Sequence, residues 1–184
     1  MATKKSQRVF IWVIAVVMAV GTLGAYFAVI LANNNSGTET ANQQKLIDQY
    51  VAEMKANNLP LDGYVAEKFT ATDVTVFKTE DLVTGEGAEA TKDSSVTLSY
   101  FGWTPDGGIF DSSIKKDGSG KVFTFKPAEG GAIEGWIQGV PGMKVGGVRK
   151  LTIPAPLAYA AAGSPPLIDA NTPLVFIVKL DKVE

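Results

Sequence analysis

Large aromatic side chains are the groups in this sequence best suited to contact a ligand. They come from separate segments, so a fold that brings these segments together would line one concave surface with apolar rings. Taken singly, each ring is more simply explained as a core residue, because large aromatics usually supply buried area. The residues are Tyr100, Phe110, Phe123, Phe125, Trp136, Tyr159 and Phe176.

The residue types on which many enzymes depend are missing. The chain has no cysteine and no histidine, which excludes disulfides, thiol nucleophiles, Cys/His zinc sites and Ser-His-Asp triads. Ser112 and Ser113 have no base to activate them. The acidic residues are scattered, and the glycines around Lys144 lack the spacing of a phosphate-binding loop. We therefore expect no cofactor, no metal, and an activity that works without the usual reactive side chains.

The composition indicates a folded protein of one domain with appendages. The chain has 184 residues, of which 46% are hydrophobic and 20% charged, and this is too apolar for a disordered protein. The formal net charge is -2 at pH 7. Because there is no strongly basic balance, we expect no nucleic-acid partner.

The N-terminus has the pattern of a membrane anchor. Residues 1–8 include Lys4, Lys5 and Arg8, and residues 9–32 form an uncharged apolar run. As a helix this run would be about 36 Å long, enough for a hydrocarbon core of ~30 Å. The positive-inside rule places the basic tail in the cytoplasm. We therefore predict a single-pass transmembrane signal-anchor in the cell membrane, with the remaining chain outside the cytoplasm.

A cleaved signal peptide, with Ala32 as the small residue before the cut, is the alternative. Its apolar run would be unusually long, because signal peptides have ~7–15 apolar residues. The retained anchor is therefore favoured, and cleavage stays open.

Residues 33–73 are predicted to be a spacer with an amphipathic helix at about 43–58. Apolar side chains recur on one face at helical spacing, and Asn57, Asn58 and Pro60 favour a stop. The helix either packs on the domain or serves as a stalk, and a partner-binding or dimerising helix is the alternative. The apolar face consists of Leu46, Ile47, Tyr50, Val51 and Met54.

Residues 74–184 are predicted to form one α+β domain. Apolar and polar residues alternate in short segments, which is typical of strands with one buried face. One short helical segment, 133–140, interrupts them. The pattern predicts an antiparallel sheet of about five strands wrapped on one short helix. The alternating segments are 74–77, 96–100, 123–125, 151–153 and 174–180.

Short motifs occur along these residues in the order of one family. They include Val96-Thr-Leu-Ser-Tyr100-Phe-Gly102, Phe110-Asp-Ser-Ser113, Ile133-Glu-Gly-Trp136-Ile-Gln-Gly139, Leu157-Ala-Tyr159 and Leu174-Val-Phe176. On these motifs, the chain resembles FKBP-type peptidyl-prolyl cis-trans isomerases over residues 74–184. The resemblance implies an FKBP-like half-barrel, in which an antiparallel sheet curls around the helix that carries Trp136.

The resemblance assigns four side chains to catalysis. Tyr100 would line the pocket, and Trp136 would form its floor. Tyr159 would donate a hydrogen bond to a substrate carbonyl. Asp111 would act electrostatically on the twisting amide, and the open alternative is a structural carboxylate that holds Tyr100 or the neighbouring strands.

The resemblance assigns five further residues to substrate binding. Phe110 would form one wall of the pocket and Phe123 another. Ile133 would offer a backbone contact beside the pocket. Ile168 and Phe176 would complete its lining.

The sequence departs from the family pattern around the pocket. Ala160 follows Tyr159 where the family typically has glycine, and Asp169-Ala170 replaces a proline-containing turn. Ala132 is smaller than the usual valine, and residues 114–122 form a long loop at a variable place. These changes bear on substrate preference and loop order more than on the pocket itself.

An apolar pocket can accelerate rotation about an X–Pro bond without a reactive group. Amide resonance sets a barrier of ~18–20 kcal/mol and makes the planar amide more polar than the twisted one. An apolar pocket therefore stabilises the planar state less well than water does. The resemblance implies isomerisation of X–Pro bonds in proline-containing polypeptides, with macrolide-type inhibitors as further ligands. The predicted anchor makes exported polypeptides the expected substrates. A non-catalytic proline-peptide-binding module and a chaperone module of the cell envelope are the alternatives.

Overall fold

A computed structural model describes residues 39–184, with side chains from residue 43 onward. The predicted basic tail 1–8 and anchor 9–32 lie outside these residues. Within 39–184, no helix combines the length and apolar character needed to cross a membrane. The chain divides into two compact units, Met1–Gln49 and Tyr50–Glu184. The second unit holds all of the sheet and the candidate site.

Helix α1, Glu39–Asn57, occupies the place of the predicted amphipathic helix but begins a turn earlier. Of the predicted apolar face, Leu46 is exposed, whereas Ile47, Tyr50, Val51 and Met54 are half-buried. The helix ends at Asn57, and the chain continues directly into the two-residue strand β1, Asn58–Leu59.

The main sheet is antiparallel, as predicted, and has six strands where about five are predicted. They are β2 (Lys78–Val83), β3 (Val96–Trp103), β4 (Ile109–Ser112), β6 (Phe123–Phe125), β7 (Val148–Ile153) and β8 (Leu174–Val183). Five of them follow the order β2-β7-β8-β3-β4, and β6 pairs with the first residues of β3. A separate two-residue strand, β5, Ile114–Lys115, pairs with β1.

The first predicted strand, 74–77, is wrong in position. The chain bends there, and β2 begins at Lys78. Its side chains are mostly exposed because β2 is an edge strand of the sheet, so it lacks the apolar alternation that indicates a half-buried strand. Strand β4 was also missed, because Ile109 and Phe110 are adjacent apolar residues followed by two polar ones, so the segment does not alternate.

The helix predicted at 133–140 is α2, Glu134–Gly139, and it packs on one face of the sheet. Two glycines of α2 allow this helix to approach β7 closely. A Cβ at Gly135 would lie 2.6 Å from carbons of Ile153, and one at Gly139 would lie 2.7 Å from Leu151. Because real Cβ atoms do not approach other atoms so closely, glycine at these two positions allows α2, which carries Trp136, to pack directly against β7.

The opposite face of the sheet is also covered. Successive residues of β3 and β8 point to opposite faces, so Phe101, Trp103, Val175 and Ile177 lie away from α2 and form a second core. Residues 60–69, here called the strap, supply its cover. The indole Nε1 of Trp103 donates to the carbonyl of Glu67 at 2.8 Å. The packed unit therefore begins well before residue 74, and the strap belongs to it rather than to a spacer.

Candidate active site

Asp111 is held by three neighbours at the edge of the sheet. The Tyr100 hydroxyl donates to Asp111 Oδ2 at 2.6 Å, and the backbone N–H of Ser112 donates to Oδ1 at 2.9 Å. The ammonium of Lys115 lies 3.5 Å from the same Oδ1. The Asp111 side chain is nevertheless 39% exposed. The carboxylate is therefore oriented and also open to a ligand.

Trp136 lies at the centre of the aromatic group. Its ring meets Tyr100, Phe123 and Phe176 edge-to-face, with centroid distances of 5.1, 5.5 and 5.3 Å. Such edge-to-face contacts are favourable because the positive ring edge meets a negative ring face. Phe125 adds a tilted contact at 6.1 Å. The indole is buried, and its Nε1 has no hydrogen-bond partner within residues 39–184.

Ile133 precedes α2 and orients it. Its carbonyl accepts the N–H groups of Trp136 at 2.9 Å and Ile137 at 3.2 Å. Its own N–H donates to no acceptor in the described part of the chain. This amide is therefore a donor available to a ligand beside Trp136.

Two phenylalanines form a wall next to this floor. Phe110 and Phe176 meet edge-to-face at 5.5 Å. Gly102 leaves the room for them, since a Cβ there would overlap the ring of Phe176 and lie 2.9 Å from Phe110. Ile168 is buried in the same core.

Tyr159 is half-buried at the border of this core. Burial raises the pKa of its phenol to about 12, with a contribution from the nearby Asp111 carboxylate. Burial, again with Asp111, also raises the pKa of Tyr100 far above its usual range. Both phenols are therefore protonated donors at neutral pH. The Tyr159 hydroxyl has no protein acceptor within residues 39–184.

The loop after Tyr159 departs from the family pattern in its backbone as well. Ala160 has φ of 50°, in the left-handed region that glycine adopts most easily. Its carbonyl accepts the N–H of Asn171 at 2.8 Å. Asn171 itself has φ of 57°, which asparagine tolerates better than most residues. The Ala160 position thus has the conformation that glycine would favour.

All the predicted site residues meet in one place. Five of them are buried in one core, three lie at its border, and Asp111 joins through Tyr100. Their catalytic and binding roles remain predictions. Buried are Tyr100, Phe110, Trp136, Ile168 and Phe176, and the border consists of Phe123, Ile133 and Tyr159.

Sequence reasoning missed two residues here. Lys115 was not singled out, although it forms the ion pair with Asp111, because no pattern distinguishes it from other loop lysines. Phe125 was recognised only as an aromatic residue and contacts both Phe123 and Trp136. The residues described hold no cluster of three or more acidic side chains that could bind a metal.

Comparisons with known proteins agree with this geometry. A family model of FKBP-type peptidyl-prolyl cis-trans isomerases matches residues 86–181. FK506-binding protein of Neisseria meningitidis serogroup A is 42% identical over 104 residues, which are 56% of this chain and 93% of that protein. FK506-binding protein 4 of Rhizopus delemar is 48% identical over 101 residues, which are 55% of this chain and 25% of that protein. The crystal structure of AtFKBP13 is similar with a TM-score of 0.53 at 34% identity, covering 59% of this chain and 93% of that one.

The extent of the match differs between these relatives. The chain spans about a quarter of the Rhizopus protein and of a related yeast protein, but nearly the whole neisserial one. The segment matched by the family model includes Tyr100, Asp111, Trp136, Tyr159 and Phe176. The chain therefore belongs to the FKBP-type peptidyl-prolyl cis-trans isomerase family.

Proposed function

We propose that this chain is an active peptidyl-prolyl cis-trans isomerase acting on X–Pro bonds of polypeptides. The observation that carries the proposal is the combination of an aromatic floor with hydrogen-bond donors at its border that have no protein acceptor in the described part of the chain. Trp136 and the rings around it supply the apolar surface. The protonated hydroxyl of Tyr159 and the N–H of Ile133 supply the donors.

The binding mode follows from these groups. The prolyl ring packs against Trp136, and the donors of Tyr159 and Ile133 bind carbonyls that flank the proline. The twisted amide has less charge separation than the planar one, so it loses less solvation on entering this apolar site. An acceleration of about 10⁴ requires roughly 5.5 kcal/mol of differential stabilisation. No nucleophile or proton shuttle takes part in this rotation.

Asp111 has a double role in this proposal. Its carboxylate orients the Tyr100 hydroxyl at 2.6 Å, which keeps one wall of the pocket in place. It also lies beside the aromatic floor through Tyr100, and its partial exposure allows it to act on the amide carbonyl of a bound peptide. The structural and electrostatic functions of the carboxylate are compatible.

The test is prolyl cis-trans exchange in a short Ala-Leu-Pro-Phe-type peptide, measured by NMR line shapes with the full chain. We expect acceleration by the wild type and a strong loss in Trp136→Ala and Asp111→Ala. Tyr159→Phe should weaken peptide binding, whereas Tyr64→Phe, a matched change on the opposite face of the sheet, should not. A folded wild type that binds the peptide without accelerating exchange would instead be a proline-peptide-binding module.

We propose further that residues 9–32 anchor the chain in a membrane and that the isomerase domain acts on exported polypeptides. The support is the basic tail followed by a long uncharged apolar run. Carbonate extraction of membranes tests the anchor, and protease added to intact spheroplasts tests the side. Release by carbonate, or protection of the domain from protease, would contradict the proposal.

Macrolide binding is a related proposal, since the compared relatives are named FK506-binding proteins. The wall of Phe110 and Phe176 over Trp136 offers the apolar surface that such a ligand needs. Titration of the wild type with FK506 should show binding that Trp136→Ala removes. Equal affinity in both proteins would locate the ligand elsewhere.

A further inference from the structure

The short strand that follows α1 is hydrogen-bonded to the segment that follows Asp111. β1 pairs antiparallel with β5, so that Asn58 lies opposite Lys115 and Leu59 opposite Ile114. The contact extends one residue further, where the carbonyl of Asn57 accepts the N–H of Lys116 at 2.9 Å. Residues 57–59, here called the brace, thus run alongside the loop 114–117, which follows β4 and Asp111.

Asn57 adds a two-point contact to this loop. Its Nδ2 donates to Asp117 Oδ2 at 2.9 Å, and its Oδ1 accepts the backbone N–H of Asp117 at 3.2 Å. Hydrogen bonds from Ser119, and then from Asn57, lower the pKa of the exposed Asp117 carboxyl. The carboxylate of Asp117 is therefore charged at neutral pH.

Asn58 ties the brace to the start of β4. Its side chain is only 5% exposed, and its Nδ2 donates to the carbonyl of Ile109 at 3.0 Å. Its Oδ1 is buried without a partner in the described part of the chain. A buried oxygen without a hydrogen-bond partner costs free energy. The surrounding contacts, including the hydrogen bond to Ile109, must therefore keep the Asn58 amide in this buried position.

Ser112 joins the brace to the catalytic carboxylate. Its hydroxyl donates to the carbonyl of Leu59 at 2.5 Å and accepts the N–H of Ile114 at 3.0 Å. Its backbone N–H donates to Asp111 Oδ1. One residue therefore contacts both the brace and Asp111.

Lys115 makes a second connection. Its backbone lies opposite Asn58 in the β1–β5 pair, and its ammonium lies beside Asp111 Oδ1. Its side chain is only 15% exposed, so its direction is restricted by packing. A shift of β5 would therefore move the Lys115 ammonium directly, and it would act on Ser112 through the hydrogen bond from Ile114 to the Ser112 hydroxyl.

We propose that Asn57, Asn58 and Leu59 are positioning residues of the isomerase site. They fix β5 and Ser112, and through these they hold the Asp111 carboxylate against Tyr100. The catalytic consequence rests on the proposed function, whereas the structural consequence does not. The brace lies outside residues 86–181, the segment that the family model matches.

The test variant is Asn57→Asp in the full chain. It places a second carboxylate against the charged Asp117, which opens the contact by like-charge repulsion. We expect kcat/KM for the proline peptide to fall by about three- to tenfold, mainly in kcat, because Asp111 is misplaced rather than removed. The swap Asn57→Asp with Asp117→Asn restores donor and acceptor in reversed order and should restore the activity.

A readout besides activity is the ¹⁵N–¹H resonance of Ser112, whose N–H donates to Asp111. It should move in Asn57→Asp and return in the swap. Lys55→Met is the matched control, because it removes the neighbouring ion pair of Lys55 with Asp106 at 2.8 Å without touching the brace. It should leave both readouts at wild-type values.

Four outcomes of this experiment have a defined reading. A Ser112 resonance and a kcat/KM unchanged in Asn57→Asp would overturn the proposal, as would a loss that the swap does not restore. If the wild type itself shows no activity, the proposed function fails, and the Ser112 resonance alone decides on the brace. If Asn57→Asp does not fold, Asn57→Ala removes the same contact without repulsion and must show the same shift at Ser112.

Discussion

At the residue scale, Gly102 determines how closely the aromatic wall can pack. A side chain there would overlap Phe176 and crowd Phe110. We expect Gly102→Ala to displace both rings, to lower the free energy of unfolding by about 1–3 kcal/mol, and to raise KM for a proline peptide. Urea unfolding and NMR exchange measure these effects. The double variant Gly102→Ala with Phe176→Leu should recover stability, and a failure to do so would place the strain elsewhere.

The phenol of Tyr159 provides a pH prediction at the same scale. Its pKa is about 12 in the folded protein and near 10 in an unfolded chain. The raised pKa contributes stability that is fully present below pH ~10 and is lost as the pH rises through about 12. The difference in absorbance at 295 nm between wild type and Tyr159→Phe should therefore titrate near pH 12. A difference that titrates near pH 10 would contradict this environment.

At the scale of the elements, Arg149 links three of them. From β7, its guanidinium donates to both carboxylate oxygens of Asp81 on β2, at 2.5 and 3.0 Å. Its Nη1 also donates to the carbonyl of Gly139 at the end of α2, at 2.8 Å. The helix that carries Trp136 is thus held at its C-terminal end by a charged group, where a cation is favourable.

We expect Arg149→Met to lower the free energy of unfolding at pH 7 by about 2 kcal/mol, since it removes charge-assisted hydrogen bonds. The hydrogen bond from Arg149 lowers the pKa of Asp81 despite some desolvation, so this stabilisation is present above the ordinary aspartate pKa and lost as the pH falls through the lowered value. The difference between the two proteins should therefore shrink in acid. Lys150→Met, at the next position, should change stability by no more than about 0.5 kcal/mol.

At the scale of the whole described unit, the sheet has a core on each face. The second core depends on the strap, whose Leu61 is 6% exposed and packs with Phe101 and Trp103. In contrast, Val65 in the same strap is 65% exposed. We expect Leu61→Ala to cost about 2–4 kcal/mol in urea unfolding, and Val65→Ala to cost less than about 0.5 kcal/mol. Equal losses of unfolding free energy in the two variants would mean that Leu61 of the strap does not contribute to the second core.

The strap and the brace also determine where a fragment that contains the FKBP-type domain has to begin. A fragment starting at residue 74, the predicted boundary, would lack the strap and the brace. It would expose the apolar residues Phe101, Trp103, Val175 and Ile177 on one face of the sheet. Exposed apolar patches of this kind promote association, so a fragment for biophysical work has to retain the residues from α1 onward.

Much of the fold and site could be predicted because their signals are local. Tyr100, Trp136 and Phe176 lie in short motifs, and alternation along β3, β7 and β8 indicates which side chains share the buried face. The edge strand β2 gave no such signal, because an exposed strand has no apolar period. Family membership followed from the same motifs and agrees with the comparisons.

The sequence by itself therefore determined the α+β class, the antiparallel sheet with one helix on it, and a set of candidate site residues that lie together in the first core and at its border. Only the tertiary structure decided that Asn57 contacts Asp117, that Leu59 contacts Ser112 and that the strap covers the second face. The physical reason is sequence separation. Contacts between distant segments depend on how the whole chain folds back. A single polar residue has no periodic pattern from which its partner could be predicted.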